Sequence, residues 1–201
     1  MDTVRQGQKG AKPRMVEGDS DEELMALVAA GDNAAFRRLM ARHIGRAIRV
    51  AETVVRGSAE ADDIAQEAFI RIWRNASAFD PKVARFTTWM HRIVVNLSID
   101  RKRRNGSGHA PLPEDLPDAG ESALDGLLAA EQQDTVQCAL NELPDRQRAA
   151  IALFHFEGLS GRDSALAMNL SESAFESLLT RARSALRQRV LTTLDETGRR
   201  P

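Results

Sequence analysis

The stretch G-L-S-G-R-D-S-A-L-A-M-N-L-S-E-S-A-F-E-S-L-L-T-R-A-R-S-A-L, residues 158–186, decides how this chain folds. Ser160 and Ser171 each stand before a run with apolar residues at helical spacing, where a hydroxyl can cap the first free N–H groups. Helices are predicted over 160–168 and 171–189, joined by the short turn Asn169-Leu170. Small Ala165 lies where two crossing helices must approach closely, and Leu170 can plug the angle between them. A helix-turn-helix follows, whose second helix can enter a DNA major groove. A plain helical hairpin with no DNA role would give the same pattern.

Upstream of this unit, Pro144 at a first helical position opens another helix that ends at Gly158. Leu124, Leu127, Leu128, Val136, Ala139, Leu140 and Leu143 mark the helix before it. The second unit thus spans 123–194, with a tail at 195–201. Residues 105–122 hold three of the seven prolines together with glycines and acidic residues, and read as a flexible acidic linker. Before it, residues 19–104 carry four helical patterns. The first has Asp19 or Ser20 as cap, Leu24, Leu27 and Val28 inside, and Gly31 as stop. The second is capped by Asp32 or Asn33 and striped by Phe36, Leu39, Met40, Ile44, Ala47, Ile48, Ala51 and Val55. The third is capped by Ser58 and buries Ile64, Ala65, Ala68, Phe69, Ile72 and Trp73. The fourth runs from about Thr87 to Arg104 with Trp89, Met90, Ile93, Val94, Leu97 and Ile99. Residues 1–18 read as a disordered basic arm. The fold class is all-α, two small helical domains on one linker.

Composition agrees. The chain has 201 residues, 42% hydrophobic and 28% charged, the balance of an ordinary globular protein. No run of 18 apolar residues and no apolar leader segment occur, so neither a membrane span nor a secretory signal is expected, and the chain reads as cytoplasmic. A lone Cys138 excludes a disulfide framework and a cysteine zinc site, and beside Ala139 and Leu140 it reads as a packed small residue. The net charge of −1 hides a local contrast. Residues 80–104 hold seven basic and two acidic side chains, whereas residues 105–126 hold five acidic and no basic ones. A cationic helix beside an anionic linker is a statement about partners.

Catalytic constellations are missing. His43, His91, His109 and His155 lie on separate elements without metal-ligand spacing, and there is no phosphate-binding glycine loop or nucleophile elbow. Asp62, Asp63 and Glu67 read as a solvated or partner-binding acidic face rather than a metal cluster. No enzyme activity, metal or cofactor is expected.

Several blocks carry a family resemblance. L-P-D-R-Q-R-A-A-I-A-L-F-H-F-E-G-L-S (143–160), with the helix-turn-helix after it, resembles region 4 of sigma-70 family factors. E-E-L-M-A-L-V-A-A-G-D-N-A-A-F-R-R-L (22–39), D-D-I-A-Q-E-A-F-I-R-I-W (62–73) and the run from Phe79 through F-T-T-W-M-H-R-I-V-V-N-L-S-I-D-R-K-R-R (86–104) resemble regions 2.1, 2.2 and 2.3–2.4. Two domains in this order with only a short linker are similar to the extracytoplasmic function (ECF) group. The resemblance implies a promoter-specificity subunit of RNA polymerase. Its partners would be core polymerase (β′ clamp helices and β flap), promoter DNA and an anti-sigma factor, with no membrane insertion. A stand-alone helix-turn-helix regulator is the alternative, though it has no reason to carry the 62–73 block.

By that resemblance, Asp63, Gln66, Glu67, Arg71 and Arg74 contact polymerase. The −10 element falls to Arg85, Phe86, Trp89, Arg92, Asn96, Arg101, Arg103 and Arg104, with a flipped base captured in the loop around residues 80–87. Trp89 fits base stacking and core packing equally. The −35 element falls to Ser173, Glu176, Ser177 and Arg181, with phosphate anchoring from Arg146, Arg148, Arg162 and Arg183. The family often carries Lys or Arg where this chain has Glu176 and Leu178, a departure at the reading helix.

Overall fold

A computed structural model describes residues 19–104 and 133–196 of the chain. The expected arm, the linker and the apolar positions Leu124, Leu127 and Leu128 lie outside the described residues. Eight α-helices are present among the described residues, in two groups. The first group is α1 (Asp21–Ala29), α2 (Asn33–Val55), α3 (Ser58–Arg74) and α4 (Phe86–Arg104). The second is α5 (Gln133–Asn141), α6 (Asp145–Ile151, continued by a wider π-type turn to Phe156), α7 (Gly161–Ala167) and α8 (Glu172–Glu196).

Helix boundaries follow local chemistry. Ser20 and Glu23 form a reciprocal capping box: the Glu23 N–H donates to Ser20 Oγ (3.2 Å), and the Ser20 N–H donates to Glu23 Oε2 (2.7 Å). Asp32 Oδ1 accepts from the N–H groups of Ala34 and Ala35, starting α2. Gly31 at φ 89° and Gly158 at φ 66° take the left-handed backbone that lets a helix stop sharply. Pro144 sits one residue before the first helical position it was expected to hold.

Helix α2 is the spine of the first group, with α1, α3 and α4 packed around it. Leu24, Leu39, Ala47, Ala51, Ile64, Ala68, Ile72, Met90 and Val94 are fully enclosed. Phe36 bridges α2 and α3 through edge contacts with Phe69 (6.2 Å) and Trp73 (5.0 Å). Leu27, expected in the core, is 43% exposed, and Met25 is buried in its place. In the second group α8 packs along α5, α6 and α7, burying Phe175, Leu178, Leu179, Ala182, Leu186 and Val190. Cys138 is exposed rather than packed, because α5 turns Ala139 and Leu140 inward and leaves it on the outer face.

The two groups touch. Helix α7 and, less extensively, α6 lie against α4, while α6 also rests on α2, so the apolar cores run together. At that contact the polar α4 residues Thr88 and His91 are buried, Thr88 beside Asp163 and His91 beside Glu157.

Candidate functional site

Three surfaces emerge. The first is the outer side of α3. Ile64, Ala65, Ala68 and Ile72 face inward, so Asp63, Gln66, Arg71 and Arg74 are exposed on the opposite side. Glu67 is half-buried and accepts from Arg71 Nε at 2.9 Å, one helical turn away. Beside this face a shallow cleft of about 340 Å³ separates α3 from α4, and its walls include Asp63, Glu67, Asp100, Arg101 and Arg104. Ile70, 44% exposed, adds an apolar contact point. The five residues expected to contact polymerase are thus brought together on one helix, next to two of the arginines expected on DNA.

The second surface is α4 and the loop leading to it. Asp80 Oδ1 accepts from the Lys82 N–H (2.9 Å), and the Val83 N–H returns to the Asp80 carbonyl (3.1 Å), holding a tight turn with Val83 67% exposed. The Phe86 N–H, a free donor at the start of α4, donates to Glu22 Oε1 of α1 at 3.1 Å. Arg85, Arg92, Asn96 and Arg103 follow at spacings of seven, four and seven, which place them on one face, and all four are exposed. Arg101 is half-buried, Arg104 exposed, and Arg103 pairs with Asp100 at 3.1 Å. Phe86 corrects the sequence reading. It is fully buried against His43 (5.1 Å) and Phe79 (6.4 Å), so its ring has no free side for a base. Trp89 is half-buried on Phe79 (5.4 Å), which leaves part of the indole outside.

The third surface is the helix-turn-helix. Ser160 Oγ accepts from the Asp163 N–H (3.0 Å), and Ser171 Oγ accepts from the Ala174 N–H (3.2 Å), so both expected caps form. Asn169 turns the chain at φ 55°, a left-handed position that asparagine tolerates better than most residues. Ala165 is enclosed at the crossing, and Leu170 is half-buried in the angle. Ser173, Glu176 and Ser177 are exposed, and half-buried Arg181 donates from Nε to the Ser177 carbonyl (3.2 Å). Leu178 is 5% exposed and faces the core, so the departure at that position concerns packing, not base reading. Arg162 is exposed and Arg146 half-exposed, whereas Arg183 lies over the Phe154 ring (5.2 Å) and donates to His155 Nε2 (3.1 Å).

Arg148 is a second correction. Its side chain is 0% exposed, donating to the Val54 carbonyl of α2 (2.7 Å) and bonding to the Leu143 carbonyl and the Asp145 carboxylate. A guanidinium so enclosed offers no donor to a phosphate. Burial, then the charge of Arg56, lowers its pKa. The signal was present, since residues 147–153, Q-R-A-A-I-A-L, leave hardly a polar face, and such a helix is buried all round.

Sequence reasoning missed one cluster, at the seam between the groups. The Glu157 side chain is 2% exposed, with Arg49 Nη2 at 3.4 Å, Arg46 Nε at 3.7 Å and His91 Nε2 at 3.7 Å. Burial pushes the Glu157 carboxyl up, against the opposing pull of Arg49 and Arg46. His91 is held down to about 4, first by burial and then by the charges of Arg46 and His43. Nearby, Thr88 Oγ1 donates to Asp163 Oδ1 at 3.3 Å. Among the described residues no group of His, Cys, Asp and Glu could hold a metal ion, and no helix is long and apolar enough to cross a membrane.

Comparison with known proteins bears on these surfaces. Residues 39–108 match the family model for sigma-70 region 2, and residues 133–186 match that for sigma-70 region 4. The chain is 38% identical over 169 residues to ECF RNA polymerase sigma factor SigM of Mycobacterium tuberculosis, covering 83% of each. It is 31% identical over 183 residues to RNA polymerase sigma-H factor of Pseudomonas aeruginosa, covering 86% of this chain and 94% of that one. Among solved structures, CnrH in complex with the cytosolic domain of CnrY aligns at a TM-score of 0.63 and 28% identity, over 85% of this chain and 96% of that one. RpoE of Bartonella quintana, in complex with the anti-sigma factor NepR, shares the fold at a TM-score of 0.58 and 22% identity, over 77% and 96%. Both regions in order on one short chain decide against a stand-alone regulator: the protein belongs to the ECF group of sigma-70 family RNA polymerase sigma factors.

Proposed function

We propose that this sigma factor binds core polymerase through the outer face of α3 and reads promoters through α4 and α8. The observation that carries the reading is the split personality of α3. Its inner stripe is enclosed, while Asp63, Gln66, Arg71 and Arg74 stand outward around half-buried Glu67, a charged surface that the bundle itself does not use. The β′ clamp helices are the partner that the resemblance assigns to this face, and the β flap is the partner for the second unit.

Melting at the −10 element needs a cationic track and a place for an unstacked base. Arg85, Arg92, Arg103 and Arg104 supply the track, Asn96 offers both a donor and an acceptor to a base edge, and the exposed part of Trp89 offers a stacking surface. At the −35 element Ser173, Glu176, Ser177 and Arg181 form the reading face, with Arg146 and Arg162 as phosphate contacts. Two structural relatives are bound by CnrY and by the anti-sigma factor NepR, which supports a protein antagonist for this chain as well. Cytoplasmic residence follows from work on polymerase.

Run-off transcription with core polymerase and genomic promoter fragments tests the whole reading. Defined transcripts that depend on adding this chain are expected. Core polymerase giving the same transcripts with and without it would refute the proposal.

A further inference from the structure

Helix α4 begins without a capping side chain of its own. The Arg85 carbonyl accepts the Trp89 N–H (3.1 Å), which puts Arg85 at the capping position, and a guanidinium has no acceptor to offer. No acidic side chain stands in the first turn of α4. Helices α1, α2, α7 and α8, by contrast, start under Ser20, Asp32, Ser160 and Ser171. The acceptor for α4 comes from another helix: Glu22 Oε1 of α1 takes the Phe86 N–H at 3.1 Å, across 64 positions of sequence. A carboxylate there also meets the positive end of the helix dipole.

We infer that Glu22 is a positioning residue for promoter opening: it caps α4 from outside, fixing the first turn of that helix and, through Phe86 and Phe79, the seat of Trp89.

Phe86 is held twice from α1. Glu22 takes its N–H, while Asp21 Oδ2 lies 2.7 Å from Nε2 of His43, whose ring packs on that of Phe86 (5.1 Å). The start of α1 is itself tied to α2, where Arg38 Nη1 donates to Asp19 Oδ2 (2.7 Å) and Arg42 Nη1 to the Asp19 carbonyl (2.8 Å). From Phe86 the contact passes outward: Phe86 meets Phe79 (6.4 Å), and Phe79 meets the half-buried Trp89 (5.4 Å). Phe79 stands at the entrance of the turn around Asp80 and Phe86 at its exit, so the aromatic row closes the base of the 80–85 loop.

That loop and the outer part of Trp89 are where the promoter reading seats an unstacked base, and the role of Glu22 in opening rests on that reading. A base-capturing surface gains from being formed before the base arrives, because ordering it afterwards would add to the cost of unstacking. Loss of a capping side chain shifts a local equilibrium by about fivefold, which sets the size of the effect expected here. The polar face of α3 is built on a different helix, so binding to core polymerase and opening of DNA should separate.

The test uses the full chain and two readouts. In a Trp73→Phe background Trp89 is the single tryptophan, and acrylamide quenching reports how far its indole is seated without polymerase or DNA. With core polymerase and a promoter fragment found by run-off transcription, permanganate reactivity of unpaired thymines gives the opening rate. Glu22→Ala should raise the quenching of Trp89 and slow opening about fivefold, with core affinity and helical circular dichroism unchanged. Glu22→Gln keeps an oxygen that accepts the Phe86 N–H and should stay within about twofold of wild type in both readouts. Equal opening rates in wild type and Glu22→Ala, or opening that falls only in proportion to core affinity, would overturn the positioning role. Glu22→Gln as impaired as Glu22→Ala would assign the effect to charge and overturn the cap. A wild type that opens no promoter would refute the promoter reading instead, and the quenching contrast between the Ala and Gln variants would still decide the cap.

Discussion

Replacing Arg148 by Met separates a structural arginine from a DNA contact. Methionine keeps most of the side-chain length and volume, so little cavity is left. What disappears is the donor set: the carbonyls of Val54 and Leu143 lose their guanidinium partner, and the Asp145 carboxylate, whose side chain is 17% exposed, loses its cation. Each buried acceptor left unpaired costs about 1–3 kcal/mol, and broken buried ion pairs cost about 3–5 kcal/mol. Relief from burying a guanidinium next to Arg56 offsets part of this, so a loss of about 3 kcal/mol is expected. For a chain of this size that is about 6–12 °C in Tm. Urea unfolding and thermal melts measure it, and promoter binding across a salt series supplies the contrast. A phosphate anchor would leave stability within about 0.5 kcal/mol of wild type and reduce the salt slope by about 1. That second pattern would refute the assignment of Arg148 to the seam.

Charge reversal at Glu67 with a change at Gln66 should weaken core binding, read as loss of affinity in a polymerase titration, with helicity intact. Replacing Glu176 by Ala should relax preference at one −35 base position by about 1–3 kcal/mol, measured with a promoter substitution library, while Arg146→Ala should weaken all promoters alike. Acid should act on the packed form through two groups of opposite sign. His91 titrates at about 4 when packed and at 6.5 when free, so its contribution is complete above pH 6.5 and is lost as pH falls toward 4, about 3 kcal/mol in all. Glu157, pushed up when packed, gains protons more readily there and offsets part of that loss. Unfolding free energies between pH 7 and 5 should therefore fall more steeply in Glu157→Gln and less steeply in His91→Gln than in wild type. Parallel profiles in all three would exclude these groups.

Much of this architecture was written in helical period and caps. Ser20, Asp32, Ser160 and Ser171 announce helix starts through side chains that take up free N–H groups, a local interaction that needs no knowledge of the rest of the chain. The face of α3 could be read for the same reason: its apolar stripe fixes which side is left over. Burial produced by a distant segment could not be read. Thr88 and His91 look like outward polar positions on α4, yet they are buried where residues some 60 to 75 positions later, Glu157 and Asp163, come against them. Phe86 was assigned to DNA because aromatic residues near a cationic run suit both roles; its ring is fully buried, with His43 and Phe79 packed on it. Glu157 gave no signal beyond standing before a helix-stopping glycine.

The bonds that α1 makes set where the first domain begins. The region 2 match starts at residue 39, inside α2. Yet Asp19 bonds Arg38 (2.7 Å), Asp21 bonds His43 (2.7 Å) and Arg42 (3.1 Å), and Glu22 holds the first N–H of α4. A chain trimmed to the limits of the match would lose the anchor at the start of α4 along with the buried Leu24, Met25 and Val28, and would bare the Phe86 and His43 side of the bundle. Dissection of the protein into parts for polymerase or DNA binding should therefore cut before residue 19, where the first acidic anchor stands, and treat the two-turn α1 as part of the first helical unit rather than a leader to it.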